Sequence, residues 1–498
     1  MNALLRLGGR LAHPVVPALL LLLVLGFGFA YVSGLGLEQR EELLYKAQET
    51  LPFVMFPTLA VLLFSGFPVA FILGGLALLF GLLGYFLGAF KLVQFFNFVP
   101  RIWGQAAENL VLVAIPTFIF MGVMMERSGI AQDLLYCVQV LLKRVPGALA
   151  LGVTIMGTIL AAMTGIIGAS VTMMTALALP TMIKQGYSPA LATGTIAASG
   201  TLGILIPPSI MLIIMADLMG VSVGNLFSAA IIPGLSLATL YLLYVFVAAK
   251  LNPSIAPPLP PEMLVVPKGR MLPLLWRAFF PPVFLIGVIK LSILLGWATP
   301  SEAGAVGAAG AIVLAAIWGR LNWKMMDTVC KASARTISMV FFIIISATCF
   351  AYVYRALGGD DVIERAIHAA GLGSWGFLFL VMAIVFLLGF FLDWIEITLI
   401  VLPVFSPLVK TLDFGMHVPQ ADVVYWFLIL MAVNLQTSFL TPPFGFALFY
   451  IKGIAPKEIR IQSIYVGIIP FVILQLIGLI AVIAYPQLAL WLMHASYS

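Results

Sequence analysis

The sequence predicts an all-α polytopic membrane protein made of two inverted repeats, each with a re-entrant helical hairpin and a Pro-broken helix. Three observations predict it. Of the 498 residues, 63% are hydrophobic and 9% charged, against roughly 25% charged in a soluble domain, so most of the surface faces lipid. Apolar runs long enough for a membrane helix of about 20 residues recur along the chain. Two interrupted runs in the first half return, in the same order, in the second.

Arg6 and Arg10 precede the apolar run 14–34, which is longer than a signal-peptide core and lacks a small-x-small cleavage site. Residues 1–50 are therefore expected to hold an uncleaved extra transmembrane helix and a short outer loop. The first repeat, 51–249, carries continuous spans near 51–66, 68–88, 109–126 and 225–249. The second, 277–485, carries them near 277–297, 299–318, 336–356 and 463–485. Segments 89–108 and 319–335 mix charges with aromatic residues (Phe95, Phe96 and Trp103; Trp323 and the neighbouring Trp318) and read as interfacial arms. Residues 250–276, with six prolines from Pro253 to Pro267, form an extended cytoplasmic linker. Residues 486–498 are a C-terminal tail.

The interrupted runs carry the functional signal. Hairpin-like segments lie at 146–184, with Gly165, Gly168, Ser170 and Pro180, and at 372–409, with Asp393, Glu396 and Pro403. Spans broken by tandem prolines lie at 188–219 (Pro207, Pro208) and 421–451 (Pro442, Pro443). Each proline deletes a backbone donor and forces its predecessor out of the helical region. In hydrocarbon the freed carbonyls need protein, water or an ion as partner. Broken helices at matching positions of two halves point to a transporter binding site.

With the N-terminus inside and the hairpins re-entrant, the inner segments hold 17 Lys and Arg and the outer ones 7, the bias expected of short loops. The first hairpin then enters from the cytoplasm and the second from outside.

Composition excludes a soluble enzyme and a nucleic-acid binder, and no nucleotide-binding GxxxxGK[ST] run is present. The four histidines are isolated, and no catalytic constellation occurs. Cys137, Cys330 and Cys349 lie far apart and read as small core residues without a disulfide or metal role.

Ionisable groups at membrane depth usually face a cavity or a partner. Asp393 stands at the tip of the second hairpin, where it either contacts an ion or caps a helix; the two roles are compatible. Glu396, one turn on, strengthens such a cap. Glu302 in Thr299-Pro-Ser-Glu reads as N-terminal helix chemistry, and Lys290 as a side chain reaching for the interface. Gly168, Ser170, Thr201 and Gly203 in the first half, and Thr441 and Gly445 in the second, supply small residues, hydroxyls and carbonyls suited to a bare cation. Ser199, Asn434, Thr437 and Ser438 are the expected substrate contacts. The same small residues also simply pack membrane helices.

At these residues the chain resembles the large membrane subunit, DctM type, of the tripartite ATP-independent periplasmic (TRAP) transporters. The likeness rests on Ile115-Pro-Thr-Phe, Arg127-Ser-Gly-Ile, Gly168-Ala-Ser, Gly186-Tyr-Ser-Pro-Ala, Gly200-Thr-Leu-Gly-Ile-Leu-Ile-Pro-Pro-Ser, Thr299-Pro-Ser-Glu-Ala, Gly389-Phe-Phe-Leu-Asp and Thr441-Pro-Pro-Phe-Gly. It covers roughly residues 52–485. The resemblance implies a sodium-coupled importer of a small organic acid in the bacterial inner membrane, working by an elevator motion of a transport domain against a scaffold. It implies a periplasmic substrate-binding protein and a small four-helix membrane subunit as partners. It implies one cation site at Gly168–Ser170 with Thr201–Gly203, and another at Asp393 with Thr441–Gly445. The extra N-terminal helix and long linker look like a subgroup often labelled for mannitol or chloroaromatic compounds. A stand-alone sodium- or proton-coupled carboxylate carrier and a passive channel are the competing expectations; sodium-dependent accumulation of substrate separates the coupled transporter from the channel.

Overall fold

The computed structural model describes residues 36–63, 66–142, 145–165, 167–258, 271–442 and 445–497. The expected first transmembrane helix and Pro443 lie outside them, as do residues 259–270 of the Pro-rich linker. All the regular structure among the described residues is helical. Eight of the helices are long and apolar enough to cross a membrane.

The first helix, α1 (Leu37–Leu63), runs through the stretch expected as an outer loop and across the boundary drawn at residue 50. Residues 37–48 contain no Gly or Pro, and Glu42 pairs with Lys46 one turn later at 2.6 Å, so nothing stops the helix there. α2 (Val69–Phe86) starts behind Pro68. The first arm is a series of short helical turns over 92–107 rather than one helix. Tyr352 holds it: Asn97 donates to the Tyr352 hydroxyl at 2.8 Å, and the Arg101 guanidinium lies 4.5 Å over the ring.

α3 (Ala114–Arg127) ends at Gly129, whose positive φ of 74° turns the chain into α4 (Ile130–Leu141). α4 occupies a segment expected as a loop. Its apolar residues Ile130, Leu134 and Val138 recur at helical spacing and are buried. α5 (Ala148–Thr164) and α6 (Ile167–Lys184) form the first helix pair, meeting at Gly165. α7 (Pro189–Thr201) and α8 (Ile210–Met219) are the two pieces of the first broken span. α9 (Val223–Leu251) closes the first half.

α10 (Met271–Leu294) begins inside the expected linker. α11 (Pro300–Ile317) opens on a capping box in which Thr299 and Glu302 bond each other's backbone, the N-terminal chemistry read for Glu302. α12 (Trp323–Ala356) corrects the second arm: residues 323–335 are the first turns of a single 34-residue helix. No Gly or Pro interrupts it, and Asp327 pairs with Lys331 at 2.8 Å along its exposed start. Cys330 stands on that start and is exposed, whereas Cys137 and Cys349 are buried as expected of small core residues. α13 (Gly359–Ala369) follows.

The second helix pair is α14 (Ser374–Leu388) and α15 (Trp394–Val409); the second broken span is α16 (Val423–Leu440) and α17 (Phe446–Ile454). After α18 (Ile461–Ala484), the expected tail forms α19 (Gln487–Tyr497). Its Ala489, Leu490 and Met493 are buried, and it packs mainly on α9.

The chain divides into two compact units, Met1–Glu108 with Phe342–Gly371 and Asn109–Phe341 with Leu372–Ser498. They do not follow the sequence halves, because helices of the two halves pack on one another within the second unit. There α7 crosses α18 with backbones in contact at Gly194 and Gly467, where a Cβ on either glycine would strike a carbonyl of the other helix. α3 and α11 run parallel. Ser301 donates to the Leu110 carbonyl at one end, Gly304 and Gly307 admit Thr117 and Met121 between, and Arg320 bonds the Ser128 carbonyl at the other. Large apolar side chains such as Phe53 and Phe71 in the first unit and Val466 and Ile480 in the second face outward, as lipid contact requires.

Candidate functional site

Both helix pairs and both broken spans lie in the second unit, and their ends converge. Gly165, with a φ of 59°, joins α5 to α6, and a Cβ there would touch Ile210, the first residue of α8, at 3.2 Å. Three residues on, a Cβ on Gly168 would stand 2.7 Å from Cζ of Tyr450, on the half-helix after the second break. Tyr450 also lies within electrostatic reach of Asp393 and Glu396. α15, which Asp393 caps, packs along α8. The first tip, the second tip and the half-helices that follow the two breaks therefore meet around one centre.

The second tip is built by capping. The Asp393 carboxylate accepts from the Trp394 backbone N–H at 2.8 Å, while the Asp393 N–H donates to Glu396 at 3.2 Å. Two carboxylates are thus fixed one turn apart at the positive end of a helix. Beside them the indole N–H of Trp394 and, one turn later, the hydroxyl of Thr398 are buried without a hydrogen-bond partner.

At the first break, Ser170 is buried in the second turn of α6. Thr201 ends α7 with its hydroxyl on the Ala198 carbonyl (2.9 Å), and Gly203 lies in the tight turn that follows. Pro207 and Pro208 separate that turn from α8, and Ser209 bonds back across them to the Ile204 carbonyl at 2.7 Å. At the second break, Thr441 donates to the Thr437 carbonyl (2.8 Å), Pro442 follows, and Gly445 starts α17 in a cradle of backbone where a Cβ would come 2.7 Å from the Phe439 carbonyl.

The four expected substrate contacts are engaged inside the protein. Ser199 bonds the Thr195 carbonyl, and its Cβ would lie 2.6 Å from one built on Gly157 of α5. Thr437 and Ser438 bond carbonyls of their own helix, and Ser438 fills the notch at Gly389. Asn434 donates to the Met382 carbonyl on α14 at 2.7 Å. Hydroxyls in apolar helices satisfy themselves on the preceding turn, while the contacts of Ser199 with Gly157, Asn434 with Met382 and Ser438 with Gly389 hold α7 and α16 against the first arms of the helix pairs. Sequence reasoning missed Tyr450 and the indole of Trp394. Their only signal was aromatic character beside a break and beside the acidic tip.

Two helix-pair tips closing on two interrupted helices in an apolar, many-span chain define a secondary transporter rather than an enzyme. The chain belongs to the tripartite ATP-independent periplasmic transporter family, DctM component, whose profile matches residues 56–488. Among its relatives is the C4-dicarboxylate TRAP transporter large permease protein DctM of Pseudomonas aeruginosa, 28% identical over 390 residues, covering 78% of this chain and 87% of that protein. The ectoine/5-hydroxyectoine permease protein UehC of Ruegeria pomeroyi is 29% identical over 89% of this chain and 99% of its own length. The 2,3-diketo-L-gulonate permease protein YiaN of Escherichia coli is 29% identical over 86% and 98%. In fold the chain is similar to the YdaH transporter of Alcanivorax borkumensis, with a TM-score of 0.54 and 16% identity over 79% of this chain and 87% of that one. Family membership makes this a multi-pass inner-membrane permease subunit and implies a small membrane subunit and a periplasmic binding protein beside it.

Proposed function

We propose that this chain is the transport subunit of a sodium-coupled importer of a small organic acid, fed by a periplasmic binding protein and widened in the bilayer by a small four-helix subunit. The observation that carries the reading is the convergence of Gly165, Gly168, Asp393 and Tyr450 with the two helix breaks. Sodium binds at Gly168–Ser170 with Thr201–Gly203, where small residues leave carbonyls and hydroxyls within reach, and at Asp393 with Thr441–Gly445. An organic anion entering beside Asp393 and Glu396 meets two like charges, so bound cations supply the compensating charge and make uptake depend on them. The Trp394 indole N–H offers the incoming carboxylate a donor. The unit holding both tips then moves its load across the bilayer as an elevator.

The test is uptake into liposomes that contain the chain and its small subunit, supplied with binding protein carrying its own ligand, that ligand having been identified by mass spectrometry. Uptake is expected with an inward sodium gradient and absent with potassium alone. Equal uptake in both would remove sodium from the account.

A further inference from the structure

Away from the two tips, α9, α16 and α18 meet at three polar side chains, Tyr241, Gln436 and Gln475, each with 0% exposure. The Gln436 amide donates to the Tyr241 hydroxyl at a long 3.4 Å. Gln475 approaches the same hydroxyl, yet neither its carbonyl nor its amide nitrogen completes a hydrogen bond of normal geometry, and the Gln436 carbonyl is likewise unsatisfied. The ring of Phe471 stands edge-on to Tyr241 at 5.2 Å and to Tyr244 at 5.0 Å.

We infer that Tyr241, Gln436 and Gln475 form a binding site for an ordered water molecule that ties the three helices together. Two amides and a phenol bring five donors and three acceptors, and one long bond uses a small part of them. Buried polar groups left unpaired are rare in native proteins and are commonly satisfied by internal water. The missing partner has to accept from one amide and donate to another, which water does. A bare cation would serve only the oxygens and leave the amide N–H groups unpaired. Both glutamines have three side-chain torsions, and the water site requires them to turn far enough to leave about one water volume between them.

The site acts on α16. Gln436 lies about 200° around that helix from Asn434 and Ser438, which bind and pack against α14. Water at one face and the Met382 carbonyl at the other fix the rotation of the helix that leads into the Thr441–Pro442 break. This inference is independent of sodium coupling and of the substrate.

The experiment is a density map of the full-length chain in lipid nanodiscs, at a resolution that shows ordered water, joined to thermal unfolding of Gln475→Leu, Gln436→Leu and the double variant. The expected map has a peak about 2.7–3.2 Å from atoms of at least two of the three side chains, unchanged when sodium is replaced by N-methyl-glucamine. Each single variant is expected to lower the midpoint by roughly 2–4 °C, and the double variant by clearly less than the sum, because the second change removes a group already orphaned by the first. Direct pairing of the amides with no peak, a peak that vanishes without sodium, or additive shifts would each overturn the water site. The map decides alone if a leucine variant does not fold.

Discussion

Gly168 lies beneath Tyr450 so closely that a Cβ on the glycine would stand 2.7 Å from Cζ and 2.9 Å from the hydroxyl of the ring. The two residues come from different repeats, one at the tip of a helix pair and one just past a broken helix. Gly168→Ala pushes the outer end of the ring aside, which a tyrosine can accommodate without unfolding. Uptake is expected to fall about tenfold or more, as displacement of a positioned group by an ångström does, while the amount of folded protein in the membrane stays normal. Unchanged uptake by Gly168→Ala would separate the Tyr450 contact from transport.

Gly194 and Gly467 give the opposite case. Their neighbours across the α7–α18 crossing are backbone atoms of Gly467 and Ala190, which cannot rotate away. Either glycine replaced by alanine should separate the helices and lower the unfolding midpoint by several degrees, since overpacking costs about 1–3 kcal/mol even where side chains can yield. Fluorescence-detected size exclusion on heating reads the shift. Wild-type midpoints for both variants would mean that the crossing is looser than described.

Arg320 bonds the Ser128 carbonyl and the Asp133 carboxylate, both at 2.6 Å, and so ties the end of α11 to the corner between α3 and α4. With both ionic partners about a quarter exposed, Arg320→Lys should recover little of what Arg320→Ala loses, because an ammonium does not reproduce the planar fork. Thermal unfolding of the two variants beside Asp133→Asn checks this. Full recovery by lysine would reduce the contact to simple charge pairing.

Asp360 supplies a pH test outside the membrane spans. Burial holds its carboxyl above the usual range, opposed by Arg355 and reinforced by Asp361. A carboxyl with a raised folded-state pKa favours the fold while protonated, and that benefit is lost as pH rises through the folded value. Asp360→Asn should therefore be more stable than the wild type at neutral pH, with the difference closing in acid. A variant less stable at neutral pH would show that the Arg355 pair outweighs the burial.

Much of this arrangement was legible in the sequence because it is local. The Thr299–Glu302 and Asp393–Glu396 boxes are four-residue patterns, and Pro207-Pro208 stand in the gap between α7 and α8, although the tandem pair Pro281-Pro282 lies inside α10 without ending it. The parts that were not legible are tertiary. Residues 323–335 look like a separate arm by charge, yet without Gly or Pro they continue into α12. Asn434 looks like a ligand contact until α14 brings the Met382 carbonyl to it. No spacing rule places Tyr450 over Gly168, since 282 positions separate them.

The central claim is that this chain moves its substrate on sodium and only as part of a three-component system, and Asp393→Asn tests it most directly in reconstituted liposomes. Asparagine keeps the size and the cap of Asp393 while removing its charge. Wild-type chain with small subunit and loaded binding protein should import steeply with sodium, whereas the large subunit alone should import almost nothing. The variant should insert normally and lose most of its sodium dependence. Sodium activation equal to wild type in Asp393→Asn, or robust uptake by the large subunit alone, would contradict the account.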